Sequence, residues 1–213
     1  MKNTLLAWLT ATTLTAGAAL AADSEEGFVS LMDGKTFNGW EGNLEMFRIQ
    51  DGAIVGGTLD KPIPRNEFLC TREEFENFDL RLEFKLVGAL ANAGVQFRSR
   101  RIPNHHEVSG YQADAGQIFW GCLYDESRRN KVLVHPLDRK KLDAVLKKQD
   151  WNRYRIRCDG PRVQLWLNDV RTVDYTEKDD KIERTGIIGL QIHGGAKARA
   201  YYKDIRIEEL SGK

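Results

Sequence analysis

The chain has few cysteines, no charge of one dominant sign and, past its first 20 residues, no long apolar run. Each shortage removes a class of protein. Cys70, Cys122 and Cys158 contain no CxxC and suit no zinc site. One disulfide with a leftover thiol is open to them in an oxidising compartment, but Cys70 and Cys158 lie in apolar-alternating runs that favour buried free thiols. The formal net charge is +1, so there is no global bias toward nucleic acid or acidic lipid. No stretch beyond the N-terminus could span a bilayer. The sequence also lacks a P-loop, a dinucleotide fingerprint, HExxH, an EF-hand loop and GxSxG, which removes several common enzyme classes. It shows no internal repeat and no low-complexity linker.

The N-terminus reads as an export signal. Lys2 precedes an uncharged, Ala- and Thr-rich run from Leu5 to Leu20, and Ala19-Leu20-Ala21 fits the small-x-small rule, placing cleavage after Ala21. Residues 1–21 are then a signal peptide, 22–27 a disordered lead-in and 28–213 a single domain, located in the periplasm or outside the cell. About 190 residues suffice for one sizeable core. Oligomeric state is left open.

Strand signals dominate that domain. From Asp79 to Val87, Leu80, Leu82, Phe84 and Leu86 take one face and Arg81, Glu83 and Lys85 the other. Trp151 to Cys158 alternates similarly, and Asn168-Asp169 joins Val163–Leu167 to Val170–Tyr175 as a hairpin. Gly186–Ile192 reads as a central strand, and Tyr201–Leu210 closes the chain. Short runs with regular Asp-Gly and Gly-Gly punctuation predict an all-β sandwich or barrel. One short surface helix is expected within Asp138–Lys148, its lysines solvated.

The stretch from Asn92 to Tyr124 carries most of the chemistry. Polar and aromatic residues alternate there with small and apolar ones, so neighbouring strands would present a polar cluster on one face. Such a face suits a polar small molecule, with a sugar the obvious candidate. Arg98 reads as an oxygen-binding fork or a structural salt bridge. Gln112 and Asp114 share a face; Asp114 is a candidate base or a turn cap. Gln191 and His193 share a face at the end of an apolar strand, which suits His193 for acid–base or metal work, or for a structural role. Tyr124 joins the cluster. His105-His106-Glu107 resembles a metal cluster, but adjacent strand residues point apart, and His106 is taken as a substrate contact. His135 is given no role. Of the tryptophans, Trp40 and Trp151 are expected to plug the core and Trp120 to face ligand.

Phe28-Val-Ser-Leu-Met-Asp-Gly-Lys-Thr-Phe-Asn-Gly-Trp resembles the opening "LFnGkdLsGW" of a secreted bacterial family, the 3-keto-disaccharide hydrolase domain. Asn92-Ala-Gly-Val-Gln-Phe-Arg-Ser is similar to its "NSGvffRs", and Gly189-Leu-Gln-Ile-His-Gly and Tyr202-Lys-Asp-Ile-Arg-Ile continue the likeness across residues 28–210. The resemblance implies a concanavalin A-like (LamG-like) jelly-roll sandwich of two antiparallel sheets. It also implies cleavage of glycosides oxidised to a ketone at C3. A base takes the C2 proton, the C1 substituent leaves, and water adds back. His193 or Asp114 would be the base, and Arg98 with Gln112 or Gln191 would hold the enolate oxygen. A divalent cation such as Ca or Mn could do that job instead. Two departures stand out: Gln112 replaces a common Glu, and Ala93 a usual Ser. The rival reading is a non-catalytic carbohydrate-binding module on the same fold.

Overall fold

A computed structural model describes residues 26–211. The expected signal peptide and most of the expected lead-in lie outside the described residues; residues 26–27 form a turn ahead of the first strand. In chain order the strands are β1 (Val29–Ser30), β2 (Trp40–Glu41), β3 (Phe47–Gln50), β4 (Ala53–Thr58), β5 (Glu67–Phe75) and β6 (Phe78–Val87). Next come β7 (Asn92–Arg101), β8 (Val108–Gly116), β9 (Leu123–Glu126) and β10 (Lys131–Val134), then helix α1 (Arg139–Val145). The remainder are β11 (Asn152–Asp159), β12 (Arg162–Leu167), β13 (Val170–Thr176), β14 (Gly186–Ile192) and β15 (Ala198–Glu209).

All pairings are antiparallel and build two sheets. The back sheet runs β13-β12-β11-β6-β15-β4-β3, with β1 on β15; the front sheet runs β10-β9-β8-β7-β14-β5-β2. Strands far apart in sequence are neighbours, as in a jelly-roll sandwich. The alternation seen in the sequence sets the layers. Leu80, Leu82, Phe84 and Leu86 from the back sheet meet Ala93, Val95, Ile188 and Leu190 from the front sheet in one core. Burying each large apolar side chain there contributes about 1.5–3 kcal/mol. The Asn168-Asp169 hairpin has positive φ at both residues (47° and 67°), matching the twist of its strands. In α1, Asp138 caps the N-terminus by accepting from Lys141 N, and Leu142 alone is buried. The helix is thus a surface element pinned by one side chain.

Two tryptophans change places relative to expectation. Trp40 is buried, with Nε1 donating to Leu31 O at 2.6 Å. Trp151 is not a core plug. It lies half-buried on the outer face of the back sheet, against Tyr201. Trp120 sits instead in the core, edge-on to Phe84 with centroids 5.8 Å apart. It precedes Gly121, whose φ of 74° belongs to a tight turn, so strand alternation does not govern its direction. All three cysteines are free and buried, and burial pushes their thiols up to about 12.

Candidate functional site

The outer face of the front sheet carries the polar cluster. Register places Phe68, Gln191, Gly94 and Asp114 in one row across β5, β14, β7 and β8. The next row is Cys70, Gly189, Gln96, Gln112 and Tyr124. Glu126 follows, opposite Gly110. Glycines at positions 94 and 189 leave room for the neighbouring amides. A Cβ on Gly94 would stand 2.6 Å from the Gln112 side chain, which lies across it.

These groups fall into two hydrogen-bonded sets, one running from Ser99 to Asp114 and one joining Gln191 to Glu126. Ser99 Oγ donates to Gln96 Oε1 at 2.8 Å, and Gln96 Nε2 donates to Gln112 Oε1 at 2.9 Å. Gln191 Nε2 donates to Glu126 Oε2 at 3.1 Å. Asp114 accepts from the Ala115 backbone N–H at 2.8 Å and from Asn92 at 3.4 Å. Gln191 Oε1 is buried and has no hydrogen-bond partner among the described residues. A buried, unsatisfied acceptor costs about 1–3 kcal/mol. It is therefore a natural place for a donor such as a sugar hydroxyl.

Two carboxyls stand out electrostatically. Burial pushes Asp114 up to about 8, opposed by the Ala115 N–H and reinforced by Glu126 nearby. Burial also pushes Glu126 up to about 7; Glu107 adds repulsion, and Gln191 partly offsets it. Paired carboxyls with different raised values are a recognised arrangement for acid–base work near neutral pH. Gln112 also hydrogen-bonds Asp114, so the residue at the place of the common Glu acts as a neutral partner to the carboxyl two positions on.

A depression of about 550 Å³ adjoins this cluster beside Phe68, lined also by Asn43, Arg65, Arg101 and His106. It lies under the β7–β8 connection. That segment is tied down by His106 Nδ1 to Asn66 O at 2.9 Å, by Asn66 Nδ2 to Glu107 at 3.3 Å, and by Ser127 Oγ to Glu107.

The family model described as the 3-keto-alpha-glucoside-1,2-lyase-like domain matches residues 27–208. The chain belongs to this family. A search of curated proteins found no match. Among solved structures, a "putative glycosyl hydrolase" from Parabacteroides distasonis superposes with a TM-score of 0.66 at 21% identity, covering 87% of this chain and 95% of its own. A carbohydrate binding module, CBM66 from Bacillus subtilis, gives 0.58 at 13% identity over 80% and 96%. A galectin-like protein of unknown function from Bacillus subtilis gives 0.58 at 11% over 83% and 92%. These likenesses establish the sandwich fold.

Within this lyase-like domain the expected site residues divide. Gln112, Asp114, Tyr124 and Gln191 are brought together on one face. Arg98 is not among them. A bulge between Phe97 and Arg100, with φ of 45° at Arg98, turns the guanidinium away. It donates instead to Glu76 O and Gly160 O, both at 2.8 Å, and to Asn77 Oδ1 at 3.2 Å, clasping two loops. Trp120 is in the core and does not face ligand. His106 lines the depression. His193 lies one residue past β14, exposed, its N–H donating to Asn92 O at 3.2 Å. Its Nδ1 is 2.7 Å from Gly194 O, so Nδ1 donates there. Glu126 and Gln96 complete the site and were not singled out from sequence; Glu107, noted there only within the His105-His106-Glu107 cluster, acts on Glu126. Among the described residues no three His, Cys, Asp or Glu side chains converge to hold a metal ion. Among them, too, no helix is long and apolar enough to cross a membrane.

Proposed function

We propose that the protein is an exported carbohydrate-active enzyme that cleaves 3-keto-glycosides. Family membership supports a carbohydrate-related function, and the observation that carries the catalytic reading is the buried carboxyl pair, Asp114 and Glu126. A C3 ketone acidifies the C2 proton. Glu126, near its titration midpoint at neutral pH, takes that proton. Asp114, still protonated there, donates to the oxygen leaving C1. The Gln112 amide supplies a donor for the enolate oxygen, and Gln191 Oε1 accepts a sugar hydroxyl. Water then adds at C1, the C2 position is reprotonated, and the net result is glycosidic hydrolysis. Tyr124, opposite Gln112 on the same sheet face, and His106, which lines the depression, are the contacts for the sugar.

The test is product release from a panel of 3-keto-glucosides beside their unoxidised parents, with and without chelator. Release from the keto forms alone is the expected result. Saturable binding without release from any of them would make the domain a carbohydrate-binding module.

A further inference from the structure

Gln112, Asp114 and Gln191 are 4% exposed or less although they stand on the outer face of a sheet, so something covers them. In the front sheet β5 and β9 are separated by β14, β7 and β8, and a flat sheet would hold them about 19 Å apart. Yet one carboxylate, that of Glu107, accepts from Asn66 just ahead of β5 and from Ser127 just after β9. Gln191 on β14 likewise reaches Glu126 on β9 at 3.1 Å. The front sheet is therefore curled into a trough, and Glu107 joins its two rims above the floor.

Glu107 belongs to the tip of the β7–β8 hairpin, residues 102–107. The bulge between Phe97 and Arg100 bends this hairpin, and its tip lands on Asn66, whose carbonyl accepts from His106 Nδ1 at 2.9 Å. Asn66 is itself anchored, its Oδ1 accepting from the Gly194 N–H at 3.0 Å. The tip has little else to hold it. Its apolar residues, Ile102 and Pro103, are not buried, and its two backbone bonds span 3.1 and 3.4 Å. A segment held by polar latches, with no buried apolar side chain of its own, opens more readily than the sheet beneath it.

We propose that residues 102–107 are a flap that opens to admit the sugar, and that Glu107 is a positioning residue which, with the flap shut, sets its charge beside Glu126. The inference rests on the reading of Glu126 as the base. Ser127 lies between the two carboxyls, its N–H bonded to Glu126 and its hydroxyl to Glu107. Shutting the flap brings like charge toward Glu126 and strengthens it as a base; ionising Glu126 in turn loosens the flap. Glu126 is raised to about 7 with the flap shut, so the latch holds below that pH and weakens as pH rises through it. Once Glu126 has taken the C2 proton it is neutral, and the flap stays shut while the bond at C1 breaks. Returning the proton to C2 restores the charge and favours release. The other titratable groups facing Glu126 are Tyr124, Asp114 and Asp125, the last held by Arg128 and Arg129; the flap itself carries His105 and His106.

The experiment is hydrogen exchange of the 102–107 amides in the intact protein, read as protection factors across neutral pH, beside the pH profile of kcat/KM on a 3-keto-glucoside. Protection should fall about fivefold or more as pH rises through about 7. Glu126→Gln should make it constant; a fall that persists in this variant belongs to the flap histidines and overturns the proposal. Glu107→Gln should also remove the pH dependence, and should move the acidic limb of the kcat/KM profile down by about half a pH unit or more. Ser127→Ala keeps the Glu107 charge but loses one latch bond, so protection should drop about fivefold with little change in melting temperature; it tests the flap should Glu107→Gln misfold. An unmoved acidic limb in folded Glu107→Gln, or protection independent of pH in the parent, overturns the proposal while turnover stands. Protection that depends on pH through Glu126, without turnover of any 3-keto-glucoside, upholds the flap and overturns the proposed reaction instead.

Discussion

Asp114 and Glu126 share a sheet face but not a protonation state. With Asp114 raised to about 8 and Glu126 to about 7, the productive form has the first protonated and the second ionised. The pH profile of kcat/KM should therefore be bell-shaped, rising through about 7 and falling through about 8. Glu126→Gln should cut kcat about 100-fold or more and abolish the acidic limb, measured by aglycone release across pH. Asp114 also links pH to stability. Its ordinary value is 3.8, so the unfolded chain loses this proton while the native chain keeps it. The stabilisation is present in full below about 4 and is lost as pH rises to about 8. Asp114→Asn should thus gain stability relative to the parent at pH 9 over pH 4, on the order of a few kcal/mol by urea unfolding.

Strands and their interruptions decide which side chains meet. Arg98 shows this most clearly. Strict alternation puts it on the face of Gln96, but the bulge hands it to the Glu76 and Gly160 carbonyls. Arg98→Ala should accordingly cost about 3 kcal/mol of stability while kcat changes little, a split read from thermal unfolding beside turnover. Gly94→Ala should do the opposite. Its methyl would press on Gln112, lowering activity more than tenfold with a modest change in melting temperature. Regular elements were legible in the sequence for the same reason that these exceptions were not. β6 and β11 follow a period-two pattern, and β14 is a continuous, mostly apolar run, both readable from side chains alone. The Arg98 bulge and the turn that buries Trp120 depend on backbone conformation set by partner strands. Gln112, Asp114 and Gln191 were found because they obey the alternation. Glu126 obeys it too, two residues after Tyr124, but its importance arises from burial and from Glu107, which only the folded chain supplies.

At the scale of the molecule, two sheets share one core and present two different outer faces. The front face holds a buried, nearly neutral set of amides and carboxyls, and the back face cations braced by aromatic rings. Separation of the two by the core predicts independence: substitutions on the back face should leave turnover at the front site intact. The central claim concerns the front face, and it is that bond cleavage passes through loss of the C2 proton. The most direct measurement is turnover of a 3-keto-glucoside in deuterium oxide, followed by proton NMR at C2 and corrected for exchange in the absence of protein. The account predicts deuterium at C2 of the released keto-sugar, at the rate of aglycone release, with both lost in Glu126→Gln. Aglycone release with hydrogen retained at C2 would contradict it.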